Sequence, residues 1–95
     1  MPLETKPWDP AEYLNSPEDV AAYLEAVLED GDPAAIARAL GAIARARGMS
    51  EVAREAGVNR AALYRALSEG GDPRLSTVIA VARALGLNLS LKPAA

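Results

Sequence analysis

The sequence predicts an all-α fold: a small bundle of about five to six helices, two of them forming a helix-turn-helix, with a short β-strand admitted at the C-terminal end. Three observations lead there. The chain has 95 residues, enough for one core that buries roughly 60 to 65% of the surface its unfolded chain exposes. Its hydrophobic share of 51% is well above the disordered range, yet the aromatics are Trp8, Tyr13, Tyr23 and Tyr64 alone, and much of the remainder is alanine, which favours helix and close helix approach. Finally, apolar residues recur at helical spacing between stretches of Pro, Gly, Asp and Ser that start and stop helices.

The elements can be justified in chain order. Asp9 followed by Pro10 can open a short helix through Leu14, because an Asp cap and a proline at the first helical position both suit the free amides there. Ser16, Pro17, Glu18 and Asp19 repeat the signal, with Asp19 placed as in a weak capping box. Val20, Tyr23, Leu24, Val27 and Leu28 then form an apolar stripe that Gly31 ends. Asp32 and Pro33 open the next helix, whose Ile36, Leu40 and Ile43 face inward until Gly48.

The stretch MSEVAREAGVNRAALYRALS, Met49 to Ser68, reads as two short helices pivoting on Gly57. Ser50 is the expected cap of the first, to about Ala56, and Asn59 that of the second, to about Leu67. So short a joint makes the helices cross steeply, which requires a small residue, Ala53, four before the glycine, while Gly57 accepts a left-handed backbone without a Cβ penalty. Val52, Ala56, Val58, Leu63 and Ala66 are expected inside. Gly70 to Pro73 make a turn, and Leu75, Val78, Ile79, Ala82 and Leu85 define a last helix closed by Gly86. Leu87, Leu89 and Leu91 alternate with Asn88 and Ser90 at the period of a half-buried strand, which needs a partner: the Leu3 region or the same strand of a second chain.

Composition narrows the function. With neither Cys nor His, disulfides, thiolate or imidazole metal sites, Cys nucleophiles and His bases are excluded, so neither enzyme activity nor a cofactor or metal is expected. No apolar run approaches the roughly 20 residues of a membrane span, and Met1 to Asp9 lacks the pattern of a secretory signal, so a cytoplasmic protein is expected. The net charge of −3 conceals a division. Residues 1–33 carry nine acids against Lys6, a net of −8, and residues 34–95 carry nine bases against four acids, a net of +5. An acidic helical extension over 1–33 is thus joined, within one domain overall, to a basic unit over 34–95 that holds the helix-turn-helix, and the two surfaces suit different partners, a polyanion suiting the basic one.

Offsets of three and four coincide on a helix, so Asn59, Arg60, Ala61, Tyr64, Arg65 and Ser68 share the outward face of the second helix of the pair. That face has the chemistry of a recognition helix in a major groove. Arg60 and Arg65 can each grip a guanine or a phosphate; Asn59 can cap and still donate through its NH2; Tyr64 can meet a phosphate or a thymine methyl. Arg45, Arg47 and Arg54 flank it and would attract the DNA backbone irrespective of sequence. The competing reading is an ordinary solvated helix face.

These residues, with the GGDP turn and TVIAVARALGL that follow, resemble the lambda-repressor-like, Xre-type helix-turn-helix domains. The upstream WDPAEYLNSPEDVAAYLEAVLEDGDPAAIARALGAIARARG is similar to the HigA-like addiction-module antidote proteins, so that the resemblance covers nearly the whole chain. It implies an antitoxin of a type II toxin-antitoxin module: a dimeric autorepressor of an inverted-repeat operator in double-stranded DNA that neutralises a small, basic RelE/ParE-like toxin. It puts the recognition positions on Asn59, Arg60, Ala61, Tyr64 and Arg65 and a first-helix backbone contact near Ser50. Glu51 stands where relatives often carry Gln, and Arg74 where a Ser or Thr often caps the last helix.

For the toxin face, the acids Glu18, Asp19, Glu25, Glu29, Asp30 and Asp32 offer electrostatic complement, with Trp8, Tyr13 and Leu14 as apolar anchors. For the homodimer, two recognition helices about 34 Å apart would read the repeat, and the Leu87, Leu89, Leu91 strand is the expected interface, with core completion inside one chain as the alternative. A prophage-type repressor without a toxin partner and a helical protein-interaction module are the other readings.

Overall fold

The computed structural model describes residues 16–68 and 70–94, so the expected helix at Asp9–Leu14 and the anchors Trp8, Tyr13 and Leu14 lie outside the described residues. Five helices follow one another: α1 (Pro17–Asp30), α2 (Pro33–Arg47), α3 (Met49–Ala56), α4 (Arg60–Ala66) and α5 (Leu75–Ala84). Their boundaries are set by local chemistry. The Ser16 hydroxyl accepts from the Asp19 amide at 3.2 Å and the Asp32 carboxylate from that of Ala34 at 3.1 Å, with a proline next in each case, so both long helices begin where the sequence says.

α3 departs from expectation. Ser50 is not its cap: the helix starts at Met49 after Gly48, no side chain bonds to its free amides, and Ser50 sits exposed in the first turn. Gly48, at φ 103°, adopts a backbone that lets α2 end and α3 begin without an intervening loop, which leaves no room for a cap at Ser50. The last helix likewise starts at Leu75, with Arg74 before it and no side-chain cap.

Val20 and Leu24 of α1, Leu40 and Ile43 of α2, Met49 and Val52 of α3, Leu63 and Leu67 around α4, and Val81 of α5 with Leu85 just after it are buried in one core. The acidic first helix and the basic remainder of the chain thus contribute to the same interior. Burying a side chain of this size is worth roughly 1.5 to 3 kcal/mol. α5 packs on α3, α3 on α2 and α4, and α1 on α2. Two stripe positions face out instead: Leu28 is 49% and Leu75 70% exposed. Leu28 lies in the last turn of α1 and Leu75 is the first residue of α5.

No strand is present among the described residues, and residues 87–94 run without regular structure. A strand here needs a second one to accept its hydrogen bonds, and the Leu3 region expected as one partner lies outside the described residues. Leu87 is partly buried against the core, Leu89 is half-exposed, and Leu91 is 100% exposed.

Candidate nucleic-acid interface

α3 ends on Gly57, which takes the left-handed conformation at φ 72°. The amides of Gly57 and Val58 bond back to the carbonyls of Arg54 and Ala53 at 3.2 and 3.0 Å, closing the helix and turning the chain within three residues. Asn59 then starts α4, its side-chain oxygen accepting from the Ala62 amide at 3.0 Å. Because the cap uses the oxygen, the Asn59 NH2 keeps its donors, as the sequence reading required.

Behind the turn Leu63 and Leu67 are buried, with Ala56, Val58 and Ala66 partly so. In front of it Asn59, Arg60, Ala61, Tyr64 and Arg65 are all exposed, Tyr64 at 51%. Five of the named residues are thus exposed on α4 and its cap. Arg47 at the end of α2 and Ser50 in the first turn of α3 are exposed as well.

Ser68 does not join them. It is partly buried, and its hydroxyl donates to the Tyr64 carbonyl one turn earlier, which satisfies a carbonyl at the end of α4.

Arg54 also differs from expectation. Its guanidinium donates to the Glu51 carboxylate three residues before it on exposed α3, a contact that lowers the Glu51 pKa through the hydrogen bond first and the charge second, and raises that of Arg54. The pair cancels locally: the acid that would repel a phosphate is neutralised, and one cation that would attract it is engaged.

Two glycines let backbone crowd the end of α4: Gly71, expected only as part of a turn, and Gly41, which the sequence did not single out. A Cβ on Gly41 of α2 would stand 2.3 Å from the Leu67 carbonyl oxygen, and one on Gly71 would stand 2.2 Å from that of Ala66. Both therefore allow backbone to approach the C-terminal end of α4. The available signal for Gly41 was a glycine inside an alanine-rich helix, a choice that costs about 1 kcal/mol unless packing requires it.

A model of the family described as "Probable addiction module antidote protein" matches residues 4–93. The chain belongs to this family of addiction-module antidotes. It is also 44% identical over 92 residues, 97% of this chain and 95% of the relative, to an uncharacterized protein of Haemophilus influenzae. No solved structure matches. The antidote's described helices include none long and apolar enough to cross a membrane. Among the described residues no cluster of three or more carboxylates is grouped to hold a metal ion.

Proposed function

We propose that this antidote is a HigA-like, lambda-repressor-like DNA-binding protein of the cytoplasm that represses its own operon as a dimer and neutralises a basic RelE/ParE-like toxin. The observation that carries the DNA reading is the division of exposure along α4: Leu63, and Leu67 at its C-cap, are buried in the core, while Asn59, Arg60, Ala61, Tyr64 and Arg65 are all exposed. A helix held from behind and bearing two guanidiniums in front suits insertion into a major groove, with Arg60 and Arg65 reading base edges or phosphates and Tyr64 beside them. Arg47 and Ser50 flank that helix and serve as contacts to the DNA backbone.

In this reading, dimerisation supplies the second recognition helix that an inverted repeat demands. The acids of the first third meet the toxin. Family membership supports the antidote role, and the charge of −8 over residues 1–33 supports a basic partner.

A gel shift on the operon's own promoter tests the DNA reading. Replacing Arg60 and Arg65 together by Ala should abolish specific binding, at roughly 1 to 3 kcal/mol per base contact, while the far-ultraviolet circular dichroism stays unchanged. Undiminished binding by the folded double variant would move recognition elsewhere.

A further inference from the structure

An apolar groove opens between α1, α2, α5 and the C-terminal segment, lined by Leu24, Leu28, Ile36, Val78, Leu87 and Leu89 among others. Its volume is about 140 Å³, below the several hundred Å³ that enclose a typical small-molecule ligand but enough for one or two inserted apolar side chains. Leu28 and Leu89 are half-exposed on its rim. The same helix supplies charge. Between Ser16 and Pro33 there are six acids and no base, all six acids are exposed, and Glu25 lines the groove itself. Glu18 and Glu29 lie seven and four residues from Glu25, on the same side of α1.

We propose that this groove is the docking site for a basic amphipathic helix of a partner protein, whose apolar ridge enters between Leu28 and Leu89 while its Lys and Arg residues meet Glu18, Glu25 and Glu29. The reading rests on the antidote having a basic toxin, as proposed above, and adds where that toxin is held. An apolar helix without positive charge would forgo the acidic margin, and a second copy of the chain would oppose one acidic α1 to another, so the charge selects the basic partner. No residue of α3 or α4 lines the groove. A helix seated there leaves Arg60 and Arg65 free, so partner and DNA bind at once instead of competing.

The test is a nuclear magnetic resonance titration of the isotope-labelled full chain with a synthetic 18-residue peptide carrying Leu at positions i, i+4, i+7 and i+11 and Lys on its flanks. Two control peptides replace Lys by Glu, or Leu by Ser. The expected result is amide shifts at Leu24, Leu28, Ile36, Leu87 and Leu89, with affinity at least tenfold above either control. Leu28→Lys, and separately the pair Glu25→Lys with Glu29→Lys, should each weaken the peptide at least tenfold. Promoter DNA, added to saturation, should change its affinity less than twofold. Shifts centred on α4, equal binding of the Ser/Lys peptide, or light scattering showing a dimer that Leu28→Lys converts to monomer would each overturn the assignment. A gel shift on the same samples reports DNA binding independently: its failure beside a positive titration removes the repressor reading alone, and a positive gel shift beside a failed titration removes the groove alone.

Discussion

The α-carbon of Gly41 in α2 faces the carbonyl of Leu67 so closely that a methyl group there would lie 2.3 Å from the oxygen. Since that carbonyl belongs to backbone and not to a mobile side chain, the two helices must separate to admit any other residue. Gly41→Ala should therefore destabilise the fold by about 1 to 3 kcal/mol, the usual cost of overpacking a tight contact. Thermal unfolding checks this, with a fall of roughly 4 to 8 °C per kcal/mol for a domain of this size. An unchanged midpoint would mean that the approach relaxes freely.

Neighbours on α4 should behave in opposite ways. Leu63 is 1% exposed and Tyr64 51%. Leu63→Ala should cost about 2 to 5 kcal/mol of stability through the cavity it leaves. Tyr64→Ala should stay within about 0.5 kcal/mol of the parent, as surface changes do, while weakening operator binding. Chemical denaturation and gel shifts on both variants separate the anchoring side of the helix from the reading side.

Asn59 carries two separable roles. Its oxygen caps α4 and its NH2 is left to donate. Asn59→Ala should lose about 1 kcal/mol of stability with the cap. Asn59→Asp should retain the cap and the stability but lose the donor and add a negative charge toward the phosphates, so its DNA affinity should fall further than that of the Ala variant. Equal affinity of Asp and Asn at this position would remove the residue from the interface.

The Glu51–Arg54 pair predicts a gain. Glu51→Gln should release the guanidinium to a phosphate, tightening promoter binding and steepening the logarithmic salt dependence by about one unit. The pair also responds to acid. The Glu51 carboxyl is held below its ordinary value of 4.5 by Arg54, so whatever stability the pair contributes is complete above that value and disappears as pH falls through the lowered one. Glu51→Gln should flatten that part of the acid limb and lower the neutral plateau by whatever the pair contributes. A salt dependence identical to the parent's would show that Arg54 never reaches the DNA.

Helix starts at Ser16, Asp32 and Asn59 were legible because a short polar side chain bonds to an amide two or three residues along, an interaction the sequence contains in full. Ser50 misled because it is the same residue type one position inside the helix, and only the unusual backbone of Gly48 decides where α3 begins. Ser68 fits the outward face by its spacing, but α4 ends at Ala66 and the hydroxyl turns back to Tyr64. Period alone could not reveal that, because it assumes the helix continues. Leu89 and Leu91 alternate like strand residues, yet alternation records only that side chains point in opposite directions. Whether backbone partners exist is a property of the surroundings.

The sequence by itself determined the five helices, their order, the left-handed joint at Gly57 and the contrast between an acidic beginning and a basic remainder, since caps, periodicity and charge act over a few residues of chain. Tertiary structure alone decided that Gly41 and Gly71 make room for the end of α4, that Arg54 is taken by Glu51, and that Leu28 and Leu89, 61 positions apart, share one open groove. Those relations depend on which surfaces meet across the fold, and a close approach between distant backbones leaves in the sequence only the small residue that permits it.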